Sequence, residues 1–286
     1  MKTCAIVLNY RDAARTEACL RSLAGQGLDI LLVVDNSADQ HFSDELAEML
    51  TRLNAHVDCR LRLLKPGSNL GFARGVNLAL NDEDARHCDT FLLINNDAVA
   101  MPGMVVHLAA ALVDADMAMV APTVVDVTGK HQPMFWYQRF FGLLTAHSLP
   151  GSFPYLSGCC LLVRREMLEE GKLFDEDFFM YGEDTLLGWR LARAGRVLRR
   201  VNDAVVRHTS GGSSRQGQLF YEYHTARAHV LLALKTWHSP LEIPLLLATK
   251  SIGLALRALR RSARCGSGVP LLAFILAWFP MKIRVP

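Results

Sequence analysis

The chain has no hydrophobic run long enough to cross a bilayer. Its apolar stretch at residues 269–279 holds eleven residues, far short of the roughly 30 Å of hydrocarbon that a spanning helix must match. Cysteine is present without the spacing of a structural framework. The seven thiols are Cys4, Cys19, Cys59, Cys88, Cys159, Cys160 and Cys265, odd in number and with no Cys-x-x-Cys among them. That excludes a thiolate zinc cluster and a complete disulfide framework, and reads as reduced, packed thiols of a cytosolic protein. The amino end lacks a signal-peptide core, since only five apolar residues, 4–8, precede Asn9 and Arg11. Acid is nearly missing at the other end: residues 241–286 carry seven Lys or Arg against Glu242 alone, a net +6, so the formal +3 of the chain leaves about −3 for the first 240 residues. The main body therefore has no basic footprint for nucleic acid.

What is present is enough apolar residue, 51% of 286, to bury the core of one large α/β domain. Strand-like runs at 3–8, 29–34, 60–64 and 90–94 alternate with helix-like patterns at 12–24, 43–54 and 71–80. Strands and helices alternating at this pitch predict βαβ units and a mainly parallel sheet flanked by helices. The carboxyl ends of those strands carry Asn9-Tyr10, Asp35-Asn36-Ser37, residues 65–69 and Asn95-Asn96-Asp97. All four polar clusters are then expected along one sheet edge, where ligands bind in open α/β folds.

Further along, 117–121 reads as a strand, and 122–154 as a mobile or acceptor-facing insertion without a clean period, rich in Pro, Gly and aromatics such as Phe135, Trp136, Tyr137, Phe140 and Phe141. Those rings suit stacking on sugar or lipid, or packing within the insertion. A strand at 157–163 leads to Arg164 and Arg165, a helix runs to about 194, 197–206 reads as two short strands, and 220–236 as a closing helix. In the tail, 241–264 forms an amphipathic helix with Lys250, Arg257, Arg260, Arg261 and Arg264 as its cationic positions. It suits a helix lying in a membrane interface, or a cap that packs on the domain or a partner.

Taken singly, each polar cluster has an ordinary explanation. Asn95-Asn96-Asp97 suits a polar turn, Asp35 a turn or N-cap, Gly71 and Gly75 close helix packing, and Glu183-Asp184 the favourable end of a helix dipole. Together, Asn9-Tyr10, Asp35-Asn36-Ser37, the run from Asn69 through Gly71, Arg74 and Gly75 to Asn77, Asn95-Asn96-Asp97, Tyr181-Gly182-Glu183-Asp184 and His208-Thr209-Ser210-Gly211-Gly212-Ser213 stand in an order and spacing that resembles family 2 glycosyltransferases. Within that family the chain looks most like the rhamnosyltransferase type of bacterial polysaccharide assembly.

The resemblance implies a GT-A fold, with 1–121 as the nucleotide-sugar half, 122–240 as the acceptor half and 241–286 as a helical appendage. It implies a nucleoside-diphosphate sugar donor, dTDP- or UDP-linked, held by Asn9, Tyr10, Asp35, Asn69, Arg74, Asn95 and Asn96, with Gly71 permitting close backbone approach. It also implies Mg²⁺ or Mn²⁺ at Asp97, with His208 as a ligand or a diphosphate contact, and Asp184 as the base with Glu183 beside it. Arg227 is a further phosphate candidate, and 157–160 with Arg164 and Arg165 the acceptor floor. The implied acceptor is a glycan or lipid-linked glycan at the inner face of the cell membrane. The metal element departs from the family's Asp-x-Asp by keeping only its last carboxylate, which leaves open a non-catalytic assembly partner. A sugar nucleotidyltransferase would instead place a Gly-rich loop after the first strand, where this chain has Asn9-Tyr10-Arg11-Asp12.

Overall fold

The computed structural model describes residues 1–114, 116–209, 217–281 and 283. The first part is the expected alternation: β1 (Thr3–Asn9), α1 (Ala13–Leu23), β2 (Ile30–Asp35), α2 (Gln40–Leu53), β3 (Arg60–Leu64), α3 (Gly71–Leu80) and β4 (Thr90–Asn95). There follow β5 (Ala98–Ala100), α4 (Met104–Ala111), β6 (Met117–Asp126), β7 (Phe135–Gln138), β8 (Leu143–Thr145), β9 (Ser152–Tyr155) and β10 (Cys160–Arg164). The last elements are α5 (Glu183–Arg193), β11 (Val197–His208), α6 (Leu219–Lys235), α7 (Ile243–Cys265) and α8 (Val269–Leu276).

Eight strands form one sheet in the order β3-β2-β1-β4-β10-β6-β11-β5. Strands β1 to β4 pair in parallel, while β10 runs antiparallel to both β4 and β6. Side chains alternate across the sheet as the strand period requires. Ala5, Val7, Leu92 and Ile94 enter a core shared with α1, α2 and α4, whereas Cys4, Ile6, Phe91 and Leu93 enter a second core shared with α3 and α5. Burial on both faces is what makes β1, β2 and β4 read as continuous apolar runs rather than alternating ones.

Three expectations change. The insertion is ordered: β7, β8 and β9 form a second, antiparallel sheet of three strands in the order β8-β7-β9, and Tyr137, Phe153 and Tyr155 pack with Phe178 and Trp189 into a core of their own. Residues 197–206 belong to one long strand, β11, whose register against β6 shifts between Val201 and Val205; the bulge is what splits its pattern in two. Finally, three of the tail cations turn inward. Lys250 is fully buried and donates to Tyr137 Oη at 2.8 Å, Arg257 meets His229 Nε2 at 3.1 Å, and Arg261 clamps Glu222.

Those contacts make α7 part of the body. Thr249 Oγ1 donates to the carbonyl of Phe140 at 2.9 Å, and a Cβ at Gly253 would stand 2.3 Å from the carbonyl oxygen of Phe141, so the insertion backbone rests directly on the helix. Arg227, a candidate phosphate contact, donates instead to the Ala277 carbonyl at 3.1 Å and holds the end of α8 against α6. No described helix is long and apolar enough to cross a membrane.

Candidate active site at the carboxyl edge of the sheet

The parallel pairing puts Asn9, Asp35 and Asn95 at one edge, in register as Asn9 opposite Asp35 and Leu8 opposite Asn95. With strands about 4.8 Å apart, the ends of β2 and β4 are separated by roughly 10 Å, a span suited to a nucleotide. The edge is braced by its own amides. Asn9 Nδ2 donates to Asp35 Oδ1 at 3.4 Å and to Ser37 Oγ at 3.2 Å, and Thr16 Oγ1 donates to Asn9 Oδ1 at 2.8 Å. Asn96 joins the same network through Thr16 Oγ1 at 3.1 Å. Asn9 is thus buried with its side chain spent on neighbours, while Tyr10 beside it is half-exposed. Burial tends to raise the pKa of Asp35, but hydrogen bonds from Ser37, Ser43 and Asn9 outweigh it and hold the carboxyl below its ordinary range.

Asn69 and α3 form the next wall. Asn69 Oδ1 accepts the Gly71 amide at 2.9 Å and opens the helix, and Arg74 stands exposed on its first turns. The close approach at Gly71 is made by protein rather than donor: φ is +75° and a Cβ would lie 2.3 Å from the Phe179 carbonyl oxygen, which accepts the Phe72 amide at 2.7 Å. Gly75 likewise packs against Leu8 and Asn36. Asn77 has a role that the motif did not announce. It donates to the Phe174 carbonyl at 2.8 Å and accepts the amides of Leu173 and Phe174 at 3.1 and 3.2 Å, fixing the segment that leads to Tyr181 and Asp184.

Asp97 follows β4 and meets His208, the last residue of β11, with Nε2 at 3.0 Å from Oδ1. The meeting is built by backbone: His208 is opposite Ala98 in the β11–β5 ladder, and the Thr209 amide donates to the Asp97 carbonyl at 3.0 Å. Burial disfavours the imidazolium, but the Asp97 carboxylate and the Cys159 thiol outweigh it and push His208 up to about 10. Burial likewise works against the Asp97 carboxylate, and His208 holds it below its ordinary value despite that. No group of three or more His, Cys, Asp or Glu that could hold a metal exists among the described residues. One carboxylate, and one imidazole once the ion has displaced its proton, fit a divalent ion that takes its remaining oxygens from a diphosphate and water. The rest of the expected Gly-Ser loop, residues 210–213, lies outside the described residues.

Asp184 sits in the first turn of α5, after Tyr181 and Gly182 at φ +67° and +87°. Its Oδ2 accepts the Gly158 amide at 2.9 Å, and its Oδ1 accepts the amide and hydroxyl of Thr185 at 2.6 and 3.2 Å. Glu183 is buried, and its Oε2 has no hydrogen-bond partner among the described residues. Burial, then the charge of Asp184, pushes Glu183 up to about 8, which favours its neutral form. Burial raises Asp184 as well, but the donors from Gly158 and Thr185 favour its charged form. Burial thus raises both carboxyls, and the hydrogen bonds from Gly158 and Thr185 to Asp184 favour the charged form at that position of the pair, while Glu183 Oε2 has no such donor among the described residues.

The two centres are joined through one turn. Gly158 holds Asp184, and the carbonyl of the next residue, Cys159, accepts the Asn95 amide at 2.9 Å. Because β10 is antiparallel to β4, its amino end reaches the site and its carboxyl end does not. Arg164 and Arg165 are therefore remote from any acceptor floor on this edge: Arg164 binds the carbonyls of Met117, Leu112 and Asp114, and Arg165 those of Cys88 and Ala85. Beside Ser157 lies a small hollow, with room for about one water, lined by Met134, Phe135, Tyr155 and Arg200 among others. Its Phe135 and Tyr155 rings stack with centroids 5.9 Å apart.

A mixed, mostly parallel sheet of eight strands with helices on both faces and polar strand ends gathered beside a carboxylate at a helix start is the GT-A architecture of glycosyltransferases. The sequence profile described as "Glycosyltransferase like family 2" matches residues 2–222, and the chain belongs to that family. It is 29% identical over 247 residues to the N-acetylglucosaminyl-diphospho-decaprenol L-rhamnosyltransferase of Mycobacterium tuberculosis, covering 71% of this chain and 78% of the relative. Among solved structures it resembles GalNAc-T7 with UDP, GalNAc and Mn²⁺, at TM-score 0.66 and 12% identity over 98% of this chain and 58% of that one. It also resembles the mannosyltransferase PcManGT of Pyrobaculum calidifontis with GDP-Man and Mn²⁺, at TM-score 0.59 and 18% identity over 97% and 86%. The chain is a glycosyltransferase.

Proposed function

We propose that this enzyme transfers a sugar, a deoxyhexose such as rhamnose, from a dTDP- or UDP-linked donor onto a lipid-linked or polysaccharide glycan at a membrane surface, with inversion. The observation that carries this reading is the placement of Asp184, a carboxyl group held by the Gly158 amide one residue away from the carbonyl that also anchors Asn95. The similarity to a rhamnosyltransferase named for a polyprenyl-diphosphate acceptor supports the choice of sugar and acceptor.

In this reading residues 1–121 bind the donor and 122–240 the acceptor. The nucleoside lies along the ends of β1 and β2, at Tyr10 and Asp35, with Asn9 and Asn96 bracing that edge. Asn69 and Arg74 face the diphosphate, where a guanidinium matches phosphate oxygens in pairs. Asp97 and His208 would hold Mg²⁺ or Mn²⁺ with Asn95 alongside, and a bound divalent ion there would neutralise charge on the departing diphosphate. The acceptor enters across Ser157 and Gly158, beside Phe135 and Tyr155. Asp184 takes the proton of the acceptor hydroxyl as its oxygen attacks the anomeric carbon. The new glycosidic bond forms while the bond to the diphosphate breaks, and the nucleoside diphosphate leaves with the electron pair. Glu183, neutral behind Asp184, keeps a second negative charge out of the site.

The test is a panel of nucleotide sugars with Mn²⁺, read first by thermal stabilisation and then by transfer to a synthetic polyprenyl-diphosphate GlcNAc. Stabilisation by a dTDP- or UDP-sugar and a product of inverted anomeric configuration are expected. Failure of every nucleotide sugar to bind or react would overturn the reading.

A further inference from the structure

The outer surface of the last two long helices is apolar where a solvated helix would be charged. On α7, Leu246, Lys250, Leu254 and Ala258 face the body. Directly opposite, Leu245, Ile252, Leu256 and Leu259 are each between 54 and 57% exposed. Leu241 before them, Ala248 among them and Ala263 after them continue the same stripe at spacings of three or four, with no charged residue on it. The packed neighbour α8 repeats the arrangement: Pro270 and Ala273 are buried, while Leu272 and Ile275 point out, followed by exposed Phe279 and Met281.

The charges that remain outside are of one sign. Lys250, Arg257 and Arg261 are used inside the fold, which leaves Arg260 and Arg264 as the exposed cations of this segment among the described residues. They stand at the carboxyl end of α7, beside the apolar stripe, and the sequence adds Lys282 and Arg284 just after Met281.

We infer that this paired α7–α8 face docks on an anionic phospholipid surface, with its Leu and Ile side chains entering the headgroup boundary and Arg260 and Arg264 contacting lipid phosphates. Apolar burial supplies the attraction and the cations select anionic lipid. Because α7 is fastened to the insertion sheet through Arg139–Glu242, Thr249–Phe140 and Lys250–Tyr137, docking fixes the whole domain against the surface and does not merely tether it. The inference rests on the membrane placement proposed above and not on its chemistry.

The experiment is flotation of the full chain with vesicles of phosphatidylglycerol and phosphatidylcholine, or of phosphatidylcholine alone, without donor or acceptor. The wild type is expected to float with the anionic vesicles, and Ile252→Glu/Leu256→Glu to lose about tenfold or more of the bound fraction while keeping the wild-type circular dichroism and nucleotide-induced stabilisation. Arg260→Glu/Arg264→Glu is expected to lose binding to anionic vesicles selectively, and added salt to weaken the wild type. Absence of vesicle binding, or equal binding by Ile252→Glu/Leu256→Glu, overturns the inference. A wild-type dimer that Ile252→Glu/Leu256→Glu turns into a monomer, with no flotation of either, also overturns it and assigns the face to a second copy. Since no sugar is present, failure here leaves the glycosyl-transfer reading untouched, and failure of transfer leaves flotation untouched.

Discussion

Oδ2 of Asp184 accepts the backbone N–H of Gly158 at 2.9 Å. That bond crosses from the first turn of α5 to the turn before β10, and the carbonyl of the next residue, Cys159, accepts the amide of Asn95 at the end of β4. The proposed base and the proposed metal pair therefore share one backbone segment, and a disturbance of that segment reaches both.

The neutral partner of Asp184 has a stability signature. Glu183 is raised from 4.5 to about 8 in the fold, so the folded state binds its proton more tightly than the unfolded chain does. Its stabilising contribution is complete below pH 4.5 and is lost as pH rises to about 8. Glu183→Gln, which cannot ionise, is expected to match the wild-type melting temperature near pH 4.5 and to exceed it above pH 8, by about 1 kcal/mol or more. Melting curves across this window check it; parallel curves for the two proteins would refute the proton assignment.

Asn77 is expected to matter for folding more than for binding. Asn77→Ala leaves the Leu173 and Phe174 amides and the Phe174 carbonyl without their side-chain partner, a loss of about 2–4 kcal/mol. Urea denaturation measures it, and affinity for nucleotide in the surviving folded fraction is expected to stay within about twofold, because the side chain is buried away from the donor edge.

Gly71 gives a sharper case. Gly71→Ala forces a side chain onto a residue at φ +75° and against the Phe179 carbonyl at 2.3 Å. The backbone conformation alone costs about 1–2 kcal/mol, and the carbonyl must also move. Lower thermal stability is expected together with lower kcat, since residues 173–181 lead into Asp184.

The proposed metal pair is tested by removal. Asp97→Ala is expected to abolish the extra thermal stabilisation that Mn²⁺ adds to nucleoside diphosphate, and His208→Ala to reduce it; chelator is expected to return the wild type to the metal-free melting temperature. Calorimetric titration of Mn²⁺ in the presence of UDP reads the same loss as weakened affinity.

Much of this fold is legible in the sequence because strands buried on both faces read as plain apolar runs. The helix expected at 71–80 coincides with α3, and the polar ends of β1, β2 and β4 share an edge because parallel pairing allows no other placement. Arg164 and Arg165 misled for a topological reason: β10 is antiparallel, so Gly158 and Cys159 reach the site from its opposite end. The insertion strands β7, β8 and β9 are three or four residues long, too short to display a period. Amphipathic spacing identified α7 without showing which face turns inward, because Lys250 finds its partner in Tyr137, more than a hundred residues away in sequence. Asn77 held a motif position but gave no signal of its role, since its partners are backbone groups of a distant segment.

The most direct measurement compares Asp184→Asn with the wild type in glycosyl transfer at saturating donor, alongside metal-dependent binding of the nucleoside diphosphate. Asparagine keeps the shape and one acceptor oxygen, enough for the Gly158 amide or the Thr185 amide but not both, and cannot take a proton. The expected result is a fall in kcat of about 10²-fold to 10⁴-fold with nucleotide affinity nearly unchanged. Wild-type turnover in Asp184→Asn would contradict the account.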